Sequence, residues 1–385
     1  MKKILYLLFV LAVTGCSKEP VENNYYTVCE YISGYMQAAP GGRYELLRHT
    51  DGSADIVCTD IATATRKTLG GDTAVEIAHD VVTGIFARDG HLYHYFNGAP
   101  PGMEEDVAAV LYQYDTNGNL LQVCKIGADV ELDMNSAVVS DGRCLYFSGR
   151  EAVCENGKPA ERISHIFAID QENMEIKKVY TPHQATVDII SGYKGSLVAE
   201  FEYPGKDKNG DVQFRSRVEL LDMKTMERKP IFTTTNLWYN LCEGKLYNPY
   251  DVDGGIKIYD LENRKETTVI LTDDTEMLKN GHISVNFITD RYVFLSVEYY
   301  GNMLTENYIY DFETDGLSPA PDFCGMPCLY PEDSGYYIVQ TGEQKVSVSE
   351  GFYSVNDIYY SLITPDDYHN GNENLMPIKN EIEYR

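Results

Sequence analysis

A short strand-and-turn pattern recurs along most of this chain. An apolar strand closes on Asp at Asp60, Asp115, Asp170, Asp222, Asp260 and Asp311. These positions are about 50 residues apart on average, a period typical of repeat architectures. In such proteins a unit buries its apolar faces only by packing against its neighbours. The repeat therefore predicts an architecture in which neighbouring units stack to bury their apolar faces.

The most compact copy is Leu237–Ile270, and it predicts four short strands. They are Leu237–Leu241, Leu246–Tyr250, Ile256–Tyr259 and Thr267–Ile270. Several copies also carry a Gly-containing turn that leads into an aromatic strand, as at Asp89–Tyr93. No stretch has convincing helical periodicity. We predict an all-β protein, a β-propeller of four-stranded antiparallel blades, with seven blades favoured and six or eight still open.

The N-terminus predicts export and a lipid anchor. Lys2 and Lys3 precede a short apolar run, Ile4–Val13, and the sequence Val-Thr-Gly-Cys ends at Cys16. The run is too short to span a bilayer, which needs about 20 residues, so residues 1–15 are interpreted as a signal peptide. The last four residues resemble a bacterial lipobox, whose Cys thiol accepts a diacylglyceryl group. We expect Cys16 to be lipidated, with acyl chains such as palmitate, and residues 16–25 to form a tether.

We expect residues 26–379 to form one propeller domain and residues 380–385 a short tail. Tyr26–Ile32 is predicted to pair with the C-terminal blade and close the ring, because closure removes exposed sheet edges. Insertions between the second and third strands of three units, Asn97–Val107, Arg150–Arg162 and Tyr203–Phe214, are predicted to be loops that line one rim. Loops of this kind often carry ligand sites.

The charge of the chain narrows the range of partners. There are 32 basic and 59 acidic residues, a net charge of −27. Nucleic acid is excluded as a partner, since binding phosphates requires clustered Lys and Arg. Two interpretations of the acidity stay open: solubility of an exposed monomer, or a face that binds cations or basic ligands.

No motif predicts a catalytic residue, a metal site or a cofactor. Asp207–Asp211 and Asp115–Asn119 begin like calcium loops but lack the acidic ligand at position 12, and turns are the better interpretation. Asp251–Gly254 is a third such candidate. His91 and His94 lie three apart on a strand and so face opposite sides.

Cysteines and aromatic residues give two further candidates. Cys324 and Cys328 form the one local pair that could be a disulfide or thiol site, whereas the remaining cysteines sit in strand-like runs and are expected to be mostly buried thiols. Tyr299-Tyr300 and the aromatic residues of Tyr93–Phe96 could stack on sugar rings, although core packing is the favoured interpretation at strand spacing.

Together, the lipobox, the Gly-turn hairpins, the Asp-closed strands and the segment Tyr360–Tyr368 resemble a group of bacterial β-propeller lipoproteins of gut anaerobes, similar to TolB-like and YVTN-like propellers. The resemblance covers roughly Tyr26 to Lys379 and implies a fold and a location, with no agreed catalytic residues.

The predicted function is that of a binding or scaffold module held extracytoplasmically on the cell membrane or outer membrane. Its expected ligand is an envelope protein, a peptide or a glycan. The alternative is an extracytoplasmic hydrolase or lyase that acts on polysaccharide or peptide at the central channel. A non-enzymatic role is favoured over the enzyme.

Overall fold

The structure, a computed structural model, is a seven-bladed β-propeller of four-stranded antiparallel blades. This confirms the predicted fold class and the favoured blade number. The residues that it describes are 26–29, 36–39, 41–48, 53–70, 75–76, 83–88, 90–98, 106–133, 135–155, 158–206, 212–234, 240–248, 254–299, 304–325, 327–329, 334–347 and 354–382.

Each blade is built from four strands that follow one another in the chain, innermost strand first. Blade 1 consists of β2 (Met36–Ala39), β3 (Gly42–Arg48), β4 (Ser53–Asp60) and β5 (Thr65–Thr68), and blade 2 consists of β7 (Thr83–Arg88), β8 (His91–Asn97), β9 (Val107–Asp115) and β10 (Leu120–Gly127). Blade 3 consists of β12 (Val138–Ser140), β13 (Cys144–Glu155), β14 (Lys158–Asp170) and β15 (Ile176–Tyr180). Blade 4 consists of β16 (Thr186–Tyr193), β17 (Ser196–Lys206), β18 (Val212–Asp222) and β19 (Arg228–Thr234).

Blades 5 to 7 follow the same order. Blade 5 consists of β20 (Asn240–Cys242), β21 (Lys245–Asn248), β22 (Gly255–Asp260) and β23 (Lys265–Ile270). Blade 6 consists of β24 (Gly281–Ile288), β25 (Tyr292–Tyr299), β26 (Thr305–Asp311) and β27 (Gly316–Pro319). Blade 7 consists of β28 (Pro327–Leu329), β29 (Tyr337–Ser347), β30 (Ser354–Ile363) and β31 (Met376–Pro377). The remaining elements are β1 (Tyr26–Cys29), β6 (Val75–Glu76), β11 (Val130–Leu132), β32 (Lys379–Asn380), α1 (Thr275–Asn280) and α2 (Pro365–His369).

The alternation of strand direction gives the propeller two distinct faces. The turns between first and second strands and between third and fourth strands lie on one face, which we call the turn face; it includes the turns after Asp60, Asp115, Asp170, Asp222, Asp260 and Asp311. The hairpins between second and third strands, with the connections between blades, lie on the opposite face, the hairpin face. It includes the hairpin ends at Glu155–Lys158 and Lys206–Val212.

Apolar side chains fill the gaps between neighbouring blades, because alternate residues of a strand point to opposite faces of the blade. The buried residues in successive gaps include Leu92, Phe147, Leu197, Leu246, Val293, Phe294 and Leu362. The aromatic run Tyr93–Phe96 belongs to this core, and its Tyr and Phe rings are at most 1% exposed. Core packing rather than sugar stacking is therefore its role.

The predicted ring closure by Tyr26–Ile32 is wrong for the residues that the structure describes. Strand β1 pairs antiparallel with β12, the innermost strand of blade 3, and not with blade 7. The ring is closed instead from the other terminus: β32 lies parallel to β5 of blade 1, and the Lys379 amide donates to the Ala64 carbonyl at 2.8 Å. Because β1 pairs with an innermost strand, it lies inside the central channel, where it also approaches β7 and β16.

The gap between blades 7 and 1 contains a group of buried charged side chains. The Glu45 carboxylate accepts hydrogen bonds from Arg43 at 2.5 Å and from Arg66 Nε at 2.9 Å. The Arg43 guanidinium, fully buried, also lies 4.1 Å from the centre of the Tyr360 ring in blade 7. We call Arg43, Glu45 and Arg66 the seam triad. It joins the two blades that the chain does not connect directly.

Candidate functional site

Three acidic side chains meet at the hairpin-face end of the central channel. Asp188 lies near the start of β16, the innermost strand of blade 4, and Glu200 is its cross-strand partner on β17. Asp133 lies in the connection between β11 and β12 and shares a side-chain hydrogen bond with Asp188. We call Asp133, Asp188 and Glu200 the mouth cluster.

The local sequence explains why Asp188 joins this cluster. Its neighbours Val187 and Ile189 are buried in the gap toward blade 3. Strand alternation therefore turns Asp188 to the other side of β16, the side that its partner Glu200 shares. Glu200 in turn lies between Ala199 and Phe201, which are both completely buried.

Two buried serines hold β16 against the connection that carries Asp133. The Ile189 amide donates to Ser148 Oγ at 2.7 Å and to Ser136 Oγ at 3.0 Å. The Ala137 amide donates to the Ile189 carbonyl at 2.9 Å. Asp133 itself is oriented by the Asn135 amide, which donates to its Oδ1 at 2.9 Å. The mouth cluster is thus fixed by hydrogen bonds between two blades.

The environment favours protonated carboxyls. Burial, then the charges of Asp133 and Glu200 and the hydrogen bond to Asp133, raise the pKa of Asp188 to about 7, against the opposing charge of Arg150. Burial also raises the pKa of Glu200 to about 7, with the charge of Glu202 adding to the effect and a hydrogen bond from Ser216 opposing it. The cause in both cases is the cost of placing a carboxylate away from water and beside other carboxylates.

Glu200 is the buried member of the cluster whose hydrogen-bonding capacity is not fully satisfied. The residue is only 3% exposed, and its Oε1 atom has no hydrogen-bond partner. Buried carboxylate oxygens are normally paired, because an unpaired one costs desolvation without return. An oxygen left without a donor beside Asp188 is what a site for a positively charged or hydrogen-bond-donating ligand group requires.

The arrangement suits two kinds of chemistry. It can bind a cationic group between carboxylates, or it can donate a proton near neutral pH, since a general acid works best with a pKa close to the working pH. Within the described ranges, no group of three or more His, Cys, Asp or Glu residues is placed to hold a metal ion.

The same face carries a second feature, on the hairpin of blade 4. A shallow pocket of about 380 Å³ is lined by Tyr203, Pro204, Gly205, Arg215 and Arg217. The Arg217 guanidinium lies 5.5 Å from the centre of the Tyr203 ring. An aromatic ring beside guanidinium groups can contact an acidic or planar ligand group, so this pocket complements the acidic mouth cluster.

A pocket on the turn face is a weaker candidate. It lies between blades 1 and 2 and is lined by residues that include Tyr44, Cys58, Asp60 and Lys67. Burial and the charge of Asp60 raise the pKa of the Cys58 thiol, although a hydrogen bond with Tyr44 and the charge of Lys67 oppose the shift. A thiol held protonated is a poor nucleophile, so this pocket has no activated group.

The predicted rim insertions lie on the hairpin face, but two of them are not loops. In blade 3, β13 and β14 stay paired as far as Glu155 and Lys158. In blade 4, β17 and β18 stay paired as far as Lys206 and Val212. The extra residues lengthen the hairpins because their backbone groups continue the ladder. Residues 99–105 of the first insertion lie outside the described part, and blade 7 has a long hairpin, β29–β30, that the sequence did not indicate.

Other sequence candidates separate in the structure. His91 contacts Tyr93, whereas the buried His94 packs on Phe96 and Tyr112, so the two imidazoles lie on opposite sides of β8 as predicted. The Asp115 carboxylate closes the predicted turn by accepting from the Asn117 and Asn119 amides at 2.9 Å each.

Several candidates cannot be placed. Asp207–Asp211, Tyr300, the side chain of Cys328 and positions 251–253 lie outside the described residues, as do Cys16 and the signal peptide. Burial is described for other cysteines: Cys124 carries a buried free thiol, and Cys58 and Cys144 carry half-buried ones.

The mouth cluster itself was missed in the sequence. Its signal is an acidic residue at an alternate position within an apolar strand, as in Thr-Val-Asp-Ile-Ile and Val-Ala-Glu-Phe.

No helix among the described residues is long and apolar enough to cross a membrane.

Comparisons with known proteins agree on the fold alone. No protein-family model matches the sequence, and no curated protein matches it significantly. Among solved structures, an acylaminoacyl peptidase from Pyrococcus horikoshii is similar over 88% of this chain and 53% of its own, with 13% identity and a TM-score of 0.50. This chain thus spans about half the length of that peptidase.

Two further structures resemble the chain less closely. The β-propeller domain of the Trilobed protease from Pyrococcus furiosus is 11% identical, with 88% of this chain and 99% of that domain covered and a TM-score of 0.46. An oligogalacturonate lyase from Vibrio parahaemolyticus is 12% identical, with 89% and 86% covered and a TM-score of 0.41. At these identities the likeness extends to the propeller and not to an activity.

Proposed function

We propose that the protein is an extracytoplasmic envelope lipoprotein whose propeller binds a protein or peptide partner through the hairpin face. The observation that carries the proposal is the mouth cluster: Glu200 is buried with an unpartnered oxygen beside Asp188, at the end of a channel whose interior holds β1. A ligand at the mouth would therefore meet the half-buried Asp188 first, with the buried Glu200 behind it. The proposal also includes glycan ligands, because the pocket lined by Tyr203, Arg215 and Arg217, which we call the Tyr203 pocket, lies on the same face.

The ligand group that fits the mouth cluster is a cation, such as the ammonium of a Lys side chain or the guanidinium of an Arg. A cation there stabilises the carboxylates and lowers their pKa, so its binding releases protons. Affinity should consequently rise as the pH increases through 7, the pKa to which Asp188 and Glu200 are raised, and then level off. The net charge of −27 also favours encounter with a basic partner.

The test is a binding screen of the full chain against basic, neutral and acidic peptides and a set of glycans, repeated at pH 5.5 and pH 8. Asp188→Asn should weaken binding of a basic peptide about tenfold or more, the scale of a lost charged hydrogen bond. Glu227→Gln removes the same charge from an exposed position on the turn face and should have no such effect. If both variants lost the same amount of affinity, the cause would be the overall charge of the protein, and a specific site would be contradicted.

The lipid anchor is tested separately. Cys16→Ser should move the protein from the membrane fraction to the soluble fraction, because the acyl chains are the expected attachment. A Cys16→Ser protein that still sediments with membranes would show that another element anchors it.

The alternative function, an extracytoplasmic hydrolase or lyase acting at the channel, is favoured by one observation. Asp188 and Glu200 both have a pKa raised to about 7, which suits a general acid. The hydrogen bond between Asp133 and Asp188 resembles a carboxyl pair that shares a proton, not the separated pair of a glycosidase. Product formation from a polysaccharide or peptide that Asp188→Asn abolishes without weakening binding would support the enzyme over the binding module.

A further inference from the structure

The direction of β1 determines where the N-terminal tether leaves the propeller. Tyr26 pairs with Ser140, and Cys29 pairs with Val138. Strand β12 runs from the hairpin face to the turn face, since its next connection is the turn at Gly142. The antiparallel β1 therefore enters the channel at the turn face, and Tyr26 lies at that end.

The length of the tether does not allow Cys16 to reach the opposite face. Nine residues separate Cys16 from Tyr26, so fully extended the segment spans at most about 35 Å. A route around the outside must first cross from the channel to the outermost strand, about 20 Å at a strand spacing of ~4.8 Å. It must then climb the blade, and the eleven residues of β18 correspond to about 36 Å more. The sum exceeds the reach of the tether before any distance to a membrane is added.

The charge of the turn face determines whether that face can adhere to a bilayer. The Asp residues that close the third strands lie on it, and their carboxylates accept hydrogen bonds from the turn amides, as Asp222 does from Lys224 and Thr225 at 2.9 Å each. These hydrogen bonds lower the pKa of Asp222 and keep its carboxylate ionised. Anionic headgroups would repel such a face, so lipid contact rests on the acyl anchor and not on adhesion.

We infer that the turn face lies over the bilayer and that the hairpin face, with the mouth cluster and the Tyr203 pocket, points away from it. The inference rests on the proposed lipidation of Cys16 and adds an orientation to it. The binding face is then open to partners that approach from outside the membrane, and the Asp residues of the turn face lie above the lipid surface at the distance that the tether permits.

Energy transfer to labelled lipid tests this orientation with two matched positions on one blade. Lys224→Cys places a donor dye in the turn after β18, and Phe214→Cys places the same dye near the hairpin end of that strand, where Phe214 is 58% exposed. Strand rise separates the two sites by about 25–30 Å. The full lipidated chain is reconstituted in phosphatidylethanolamine–phosphatidylglycerol vesicles that carry an acceptor dye on the headgroup. Wild type labelled in parallel gives the background from native thiols.

The inference predicts transfer from Lys224→Cys about twofold or more above that from Phe214→Cys, since the turn face is nearer to the acceptors by most of the strand length. Equal transfer, or more transfer from Phe214→Cys, in protein recovered with the vesicles overturns the orientation and leaves the anchor intact. A wild-type chain that does not enter the vesicle fraction overturns the anchor, and with it this inference.

Discussion

Neutralising Glu200 should make the protein more stable at high pH. Burial raises the pKa of Glu200 from an ordinary value of 4.5 to about 7. Between these two pH values the unfolded chain loses the proton and the folded protein keeps it, so the folded state binds more protons and stability falls as the pH rises. The fall is complete above pH 7 and absent below pH 4.5, and it amounts to about 3 kcal/mol at ~1.4 kcal/mol per pH unit.

Glu200→Gln removes this ionisation and keeps the shape of the side chain. Its oxygen can still accept the hydrogen bond from Ser216. We therefore expect little change in the free energy of unfolding at pH 5 and a gain of up to about 3 kcal/mol at pH 8. Asp188 still contributes a fall of its own with rising pH, so the variant keeps part of the wild-type dependence.

Urea unfolding of the full chain, followed by circular dichroism at pH 5 and pH 8, measures both values. Glu227→Gln is the control, because it removes the same charge from an exposed turn. Parallel pH dependence in wild type and Glu200→Gln would refute the account of a buried carboxyl that resists ionisation. A variant that is destabilised at both pH values would show instead that the carboxylate makes a favourable contact.

Three further predictions concern the fold. Glu45→Gln removes the carboxylate that both guanidinium groups of the seam triad share, and we expect the free energy of unfolding in urea to fall by about 3–5 kcal/mol, whereas an unchanged midpoint would contradict this role. A Cβ at Gly42 would overlap the Thr59 carbonyl oxygen, but one at Gly70 meets nothing within 4 Å. Gly42→Ala should therefore lower Tm, and Gly70→Ala should not. Deletion of residues 379–385 removes β32 and should lower Tm and increase proteolysis in blade 1; resistance equal to wild type would mean that closure does not depend on β32.

The repeat made most of the propeller predictable. Within Leu237–Ile270 the structure has strands Asn240–Cys242, Lys245–Asn248, Gly255–Asp260 and Lys265–Ile270. The last three lie close to those expected from alternation and turn residues, whereas positions 237–239 of the first predicted strand lie outside the described residues. The turns were recognisable because Gly244 adopts a φ of +74°, which side chains other than Gly rarely tolerate. Gly residues with positive φ recur in the corresponding turns at Gly90, Gly142 and Gly195, and this local pattern can be recognised in the sequence.

Pairing between distant segments was not predictable. Nothing in Tyr26–Cys29 distinguishes β12 from any other innermost strand as a partner, since every such strand offers the same backbone groups. The mouth cluster has the same difficulty, because Asp133, Asp188 and Glu200 come from three separate elements. An acidic residue inside an apolar strand indicates that a carboxyl is buried, but not which other carboxyls surround it.

The closure by β32 has a consequence for the order in which the chain folds. Each blade consists of consecutive strands and can form as soon as its own residues have been synthesised. Lys379 and Thr65, which pair across the closure, lie roughly 300 residues apart, so this loop is among the last to close. Until then the Arg43 side of blade 1 stays uncovered. A nascent chain that lacks β32 would thus present a charged blade edge, and the pairing of β32 with β5 decides when that edge is covered.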